Sequence, residues 1–118
     1  MPTDAQIALA KTRSLKSTIF NAMAELGMRA EEALDAGDEA LSSQLSLKLV
    51  SLGQQAALVR RTEIQLLSET SLAGPTAKLE SIASDARTTL KSLKETADTL
   101  AHAAQLITIV GRLSSTFT

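Results

Sequence analysis

Strong helix breakers occur at only two places in this chain, Asp35-Ala36-Gly37-Asp38 and Gly74-Pro75. Glycine just past an apolar periodic run ends a helix, because it enters the left-handed region at little cost, and a following Asp can cap the next helix. Proline cannot continue a helix but is tolerated in a first turn. The 118 residues therefore fall into three stretches of similar length, each a helix of roughly 45–55 Å at 1.5 Å per residue. Connections this short make neighbours antiparallel. The expected fold is all-α: an antiparallel three-helix bundle of long helices with coiled-coil-like packing, built from one domain over residues 1–118. Helix 1 is expected over about 4–35, helix 2 over about 38–73 and helix 3 over about 76–113.

The composition agrees with helix and disfavours sheet. Ala and Leu occur 19 times each, whereas Phe20 and Phe117 are the only aromatic residues. Both Ala and Leu are strong helix formers, and small Ala lets backbones approach closely. A sheet would call for more Val, Ile, Tyr and Phe.

The apolar positions follow helical spacing. On helix 1 the main face is Leu15, Ile19, Ala22, Met23, Leu26, Ala30, Ala33 and Leu34, within roughly 120° of the wheel. Helix 2 has a main face of Leu41, Leu45, Leu49, Leu52, Ala56, Val59, Leu66 and Leu67. Val50, Ala57 and Ile64 form a second stripe, and Leu47 and Leu58 lie on a third side. On helix 3, Leu79, Ala86, Leu93, Leu100 and Ile107 repeat every seventh residue, which is a coiled-coil-like seam. Ile82, Ala83, Leu90, Ala97, Ala101 and Ala104 flank it. Gly27 and Gly53 sit inside helices, where close helix crossings are the expected reason for them. Ser and Thr, 13 of each, are expected mostly on the solvated surface.

Little here suggests catalysis. The chain has no cysteine and one histidine, His102. Disulfides, thiolate metal sites and cysteine nucleophiles are therefore out of reach. His102 falls off the apolar seam and is expected to be exposed, with Asp98 four residues earlier as an ordinary surface neighbour. The pairs Glu31/Glu32 and Asp38/Glu39 flank the first turn, where acidic residues around a helix start serve caps and dipoles rather than a cation site, since no EF-hand spacing surrounds them. No phosphate-binding glycine loop, G-x-S-x-G or H-E-x-x-H is found. The expectation is a non-enzyme without catalytic residues, cofactor or metal. The N-terminus shows no basic region followed by an apolar run, and no stretch approaches ~20 apolar residues. A cytoplasmic setting is expected, with leaderless export also compatible.

Charge is unevenly spread. Net charge is −1, yet residues 1–24 carry +2, residues 25–39 carry −5 and residues 40–62 carry +3. In a three-helix bundle folded at Gly37 and Pro75, Lys11, Arg13, Lys16, Arg60, Arg61, Arg87, Lys91 and Lys94 would share one height as a basic belt. The acidic tip would lie ~36 Å away. Such a belt suits an anion or nucleic acid electrostatically, although it lacks interleaved aromatics for base stacking.

The end of helix 3 is apolar on nearly every side. A two-helix hairpin cannot cover all of it, so some of Leu106, Ile109, Val110 and Leu113 are expected to be exposed. Exposed apolar patches mark partner surfaces. The functional expectation is a non-catalytic helical interaction or assembly protein. It would self-associate, or dock a partner helix, through Leu47, Leu58, Val50, Ile64, Leu106, Ile109, Val110 and Leu113. The alternative is an anion or nucleic-acid binding module using the belt. A membrane surface is a poorer fit, because the apolar end lacks a Lys-rich polar face and an aromatic anchor.

Overall fold

The computed structural model describes residues 4–68, 75–95 and 98–113. Over these described residues there are four helices: α1 (Asp4–Asp35), α2 (Glu39–Ser68), α3 (Pro75–Glu95) and α4 (Thr99–Gly111). Among the described residues there is no strand. The molecule is elongated, 52 × 22 × 19 Å.

The first turn forms as its residues dictate. Gly37 has φ 84°. Its N–H donates to the Leu34 carbonyl at 3.0 Å, and the Asp38 N–H donates to the Ala33 carbonyl at 2.8 Å. That pair of bonds is the Schellman closure, which satisfies the last carbonyls of α1. Asp38 then caps α2: its carboxylate Oδ1 accepts from the Leu41 N–H at 3.1 Å, the usual N-cap reach. Pro75 opens α3, where its missing N–H costs nothing.

The expected third helix is broken into two. α3 stops at Glu95, and Asp98 precedes α4 with φ −87° and ψ 63° and no side-chain cap bond. The chain then turns back on itself, as the ion pair between Asp85 in α3 and Arg112 at the end of α4 shows (2.8 Å). Two features favour this break. Thr and Asp are weak in helix interiors and suit helix starts. A straight continuation would also have left the apolar residues after Ala104 bare, whereas the reversal buries them. Ala97, expected to flank the seam of helix 3, lies outside the described residues, as do Ala73 and the tail Ser114–Thr118.

Two helical hairpins are thus stacked, α1–α2 on α3–α4. α1 packs on α2 and α3, α4 packs on α3 and α2, and α2 and α3 make no close approach. The expectation that helices 2 and 3 would be antiparallel neighbours fails, because α4 takes that place. Gln55 Nε2 donates to the Ile107 carbonyl at 2.6 Å, and Leu41 and Leu45 share a cleft with Thr99 and Leu100. α4 therefore runs in the same direction as α2, away from the Gly37 tip.

One core joins all four helices. Leu15, Ile19, Leu26, Leu45, Leu52, Val59, Leu79, Leu93, Leu106 and Val110 are among its buried members. Each such side chain stabilises by roughly 1.5–3 kcal/mol relative to exposure. Leu34 departs from expectation and is 56% exposed, because it sits in the last turn of α1 beside the tip. Five threonines also depart from the solvated surface expected for hydroxyl residues. Thr12, Thr18, Thr62, Thr89 and Thr99 are buried. Thr12, Thr18 and Thr62 donate to the carbonyls of Ala8, Ser14 and Leu58, one turn back, so burial leaves no donor unmet.

Gly27 and Gly53 each face a side chain of the neighbouring helix across the first hairpin. A Cβ on Gly27 would meet Leu49 Cδ1 at 3.6 Å, and one on Gly53 would meet Met23 Cε at 3.6 Å. These are ordinary contact distances with side-chain ends, so neither position forces glycine as a tight backbone crossing would.

Candidate interaction surface

The residues expected to dock a partner separate into two groups. Leu106, Ile109, Val110 and Leu113 are at most 7% exposed, and they belong to the core. The expectation that some of them face solvent is overturned, because α4 lies between α2 and α3 and is covered on its apolar sides. Leu47, Val50 and Ile64 are 67%, 56% and 60% exposed. Leu58 is half-buried and packs against the core.

The sequence reading missed Phe20 and Met28 as surface residues; they are 52% and 47% exposed. Both fall outside the Leu15–Ala33 stripe of α1, and that spacing could have shown them facing away from the core. Contacts across the first hairpin fix its register. Met23 is level with Gly53, and Arg13 is level with Glu63 at 4.0 Å. Phe20 is then level with Ala56 and Ala57, at the middle of the hairpin. Phe20, Val50, Ala57 and Ile64 consequently lie together on the side of the α1–α2 layer that faces away from α3 and α4.

The basic residues do not form one belt. Arg29 Nη2 donates to the Lys94 carbonyl at 3.2 Å, which places the end of α3 about 12 Å from the Gly37 turn. Arg87, Lys91 and Lys94 therefore lie on α3 toward the acidic tip. Arg13, Lys16, Arg60 and Arg61 lie toward the other end of the first hairpin, about 36 Å from the turn. Within that group Lys16 Nζ pairs with Glu63 at 2.9 Å. Lys11 is half-buried. It lies on the wheel of α1 away from Arg13. The equal-height expectation assumed a fold symmetric about Pro75, whereas the Arg29–Lys94 contact sets α3 closer to the tip than that symmetry gives.

The remaining polar sites are modest. A cleft of about 370 Å³ at the tip is lined by Arg29, Glu32, Ala33, Leu41, Leu45, Asp98, Thr99 and Leu100. Arg29 is already held by Glu25 at 3.2 Å and by the Lys94 carbonyl. His102 is half-buried, contrary to the expectation of an exposed side chain, and its Nδ1 is buried without a partner among the described residues. Its link to Asp98 runs through the backbone, N–H to carbonyl at 3.3 Å. Among the described residues no group of three or more His, Asp or Glu side chains is placed to hold a metal ion. No helix there is long and apolar enough to cross a membrane.

Comparison with family models, curated proteins and solved structures gives no match for this chain. Function is therefore argued from its own surface.

Proposed function

We propose that the protein is a non-catalytic helical interaction or assembly protein that docks other helices, from a further copy or another chain, on the outer face of its α1–α2 hairpin. One observation carries the reading. Phe20, Val50 and Ile64 are each more than half exposed on one side of a bundle whose core is otherwise closed. Isolated apolar surface residues are ordinary, but a contiguous stripe along two paired helices is the surface that amphipathic helices bind. A cytoplasmic setting fits the absence of cysteine.

Anion or nucleic-acid binding is the weaker alternative, because the basic residues divide between two separate surfaces. The test of the helix-docking reading is the solution mass by light scattering, at low and high salt, with a synthetic leucine-seam amphipathic helix as a binding probe. Self-association or probe binding that is lost in a Phe20→Glu/Val50→Glu/Ile64→Glu variant of unchanged helicity supports the reading. A protein that remains monomeric and ignores the probe refutes it.

A further inference from the structure

We infer that the outer face of the α1–α2 hairpin docks a second copy of this chain antiparallel to the first, α1 on α1 and α2 on α2. The inference rests on the helix-docking reading and names its partner.

At 100° per residue, Arg13, Phe20, Ala24, Met28, Glu31 and Asp35 lie within roughly 80° on α1. All six are exposed. On α2, Glu39, Val50, Ala57, Arg61 and Ile64 lie within roughly 60°, and all are exposed. Each arc is turned roughly 150° from the core side chains of its own helix. The two arcs therefore form one continuous surface of the first layer.

Charge is segregated along that surface. Arg13 and Arg61 stand at one end, and Glu31, Asp35 and Glu39 stand at the tip. Arg61, Glu31, Asp35 and Glu39 make no ion pair among the described residues, and Arg13 reaches Glu63 only at 4.0 Å. The residue midway between Arg13 and Asp35 is Ala24, and the residue midway between Glu39 and Arg61 is Val50. The hairpin register places Ala24 and Val50 within one helical turn of the same height.

A two-fold axis crossing the hairpin at Ala24 and Val50 therefore sets each arginine of one copy against a carboxylate of the other. Phe20 and Met28 are equally spaced about Ala24, so Phe20 meets Met28 of the second copy, a favourable aromatic–sulfur contact. Ile64 falls at the level of the second copy's exposed Leu34. Ala24 at the axis lets the helices approach. Rotation about an axis parallel to the helices would instead set arginine level with arginine and carboxylate level with carboxylate, which is unfavourable. The apolar middle supplies the drive, and the charged ends select the direction. The face measures roughly 33 Å by 20 Å, on the order of the ~800 Å² per partner of an ordinary interface.

Complementary charge reversal tests the arrangement. Variant one carries Arg13→Glu/Arg61→Glu; variant two carries Glu31→Lys/Asp35→Lys/Glu39→Lys. All five positions are exposed, and circular dichroism checks that helicity is kept. Each variant alone should self-associate at least about tenfold more weakly than the wild type. An equimolar mixture should recover a one-to-one complex. Because the chain is free of cysteine, an Ala24→Cys protein should link to itself through a short bismaleimide, whereas Gln54→Cys, one turn from Val50 and so about 12 Å along the helix from its counterpart, should link less.

A wild type that stays monomeric yet binds the amphipathic probe overturns the second copy and leaves helix docking standing. Self-association without recovery in the mixture, or linking as efficient from Gln54→Cys as from Ala24→Cys, overturns the antiparallel register alone.

Discussion

The last turns of α4 and the outer stripe of α2 are both apolar, yet they have opposite fates. Leu106, Ile109, Val110 and Leu113 are closed into the core, whereas Val50 and Ile64 lie outside it. Hydrophobicity does not distinguish them; position relative to a chain reversal does. α4 follows a turn and is returned to the groove between α2 and α3, so even its broad apolar surface finds cover. α2 already spends two sides on α1 and α4, and its remaining side has no element left to meet. An apolar stripe therefore marks a partner surface only after the chain's own elements have been placed.

Four substitutions probe that contrast. Leu106→Ala opens a cavity in the closed group and should cost about 2–5 kcal/mol of unfolding free energy. Urea titration followed by circular dichroism measures it, and a loss below 1 kcal/mol would mean that α4 is not seated as described. Gln55→Ala removes the bond from α2 to the Ile107 carbonyl and should cost about 1 kcal/mol. In the same titration, no loss would separate α4 docking from this bond. Gly53→Ala should raise stability by about 0.5–1 kcal/mol, because the new methyl meets Met23 Cε at 3.6 Å and a helix-interior glycine is relieved. A loss would show the α1–α2 contact to be tighter than that distance implies. Val50→Ser on the open stripe should change monomer stability by no more than about 0.5 kcal/mol. A drop comparable to Leu106→Ala, measured at a dilution where the protein is monomeric, would erase the contrast.

Much of the first hairpin was legible in the residues. Gly37 and Asp38 carry both halves of the turn chemistry, and the Leu15–Ala33 spacing finds the buried side of α1. The second hairpin was not legible, for a specific reason. The seven-residue spacing of Leu79, Ala86, Leu93, Leu100 and Ile107 runs across the break after Glu95 without a fault, since both arms of the hairpin turn those positions inward. No glycine or proline interrupts it; the only local signal is Thr96, Asp98 and Thr99, residues that weaken a helix without forbidding it. Without that break helix 3 runs straight on, and its end is left bare. The basic belt depends instead on the height of α3, which the Arg29–Lys94 contact sets and no local signal shows. The stripe of Val50, Ala57 and Ile64 is legible in the spacing of α2 alone.

The stacked arrangement also bears on the order of assembly. Within each hairpin the partners are close in sequence, and closing a short loop costs little entropy. Contacts between the hairpins are distant: the bond from Arg29 to the Lys94 carbonyl spans 65 residues. Local pairings of this kind form readily, whereas distant ones slow folding. The two hairpins should then behave as separate cooperative units under native-state hydrogen exchange. In that case α3 and α4 would open together while α1 and α2 retain protection.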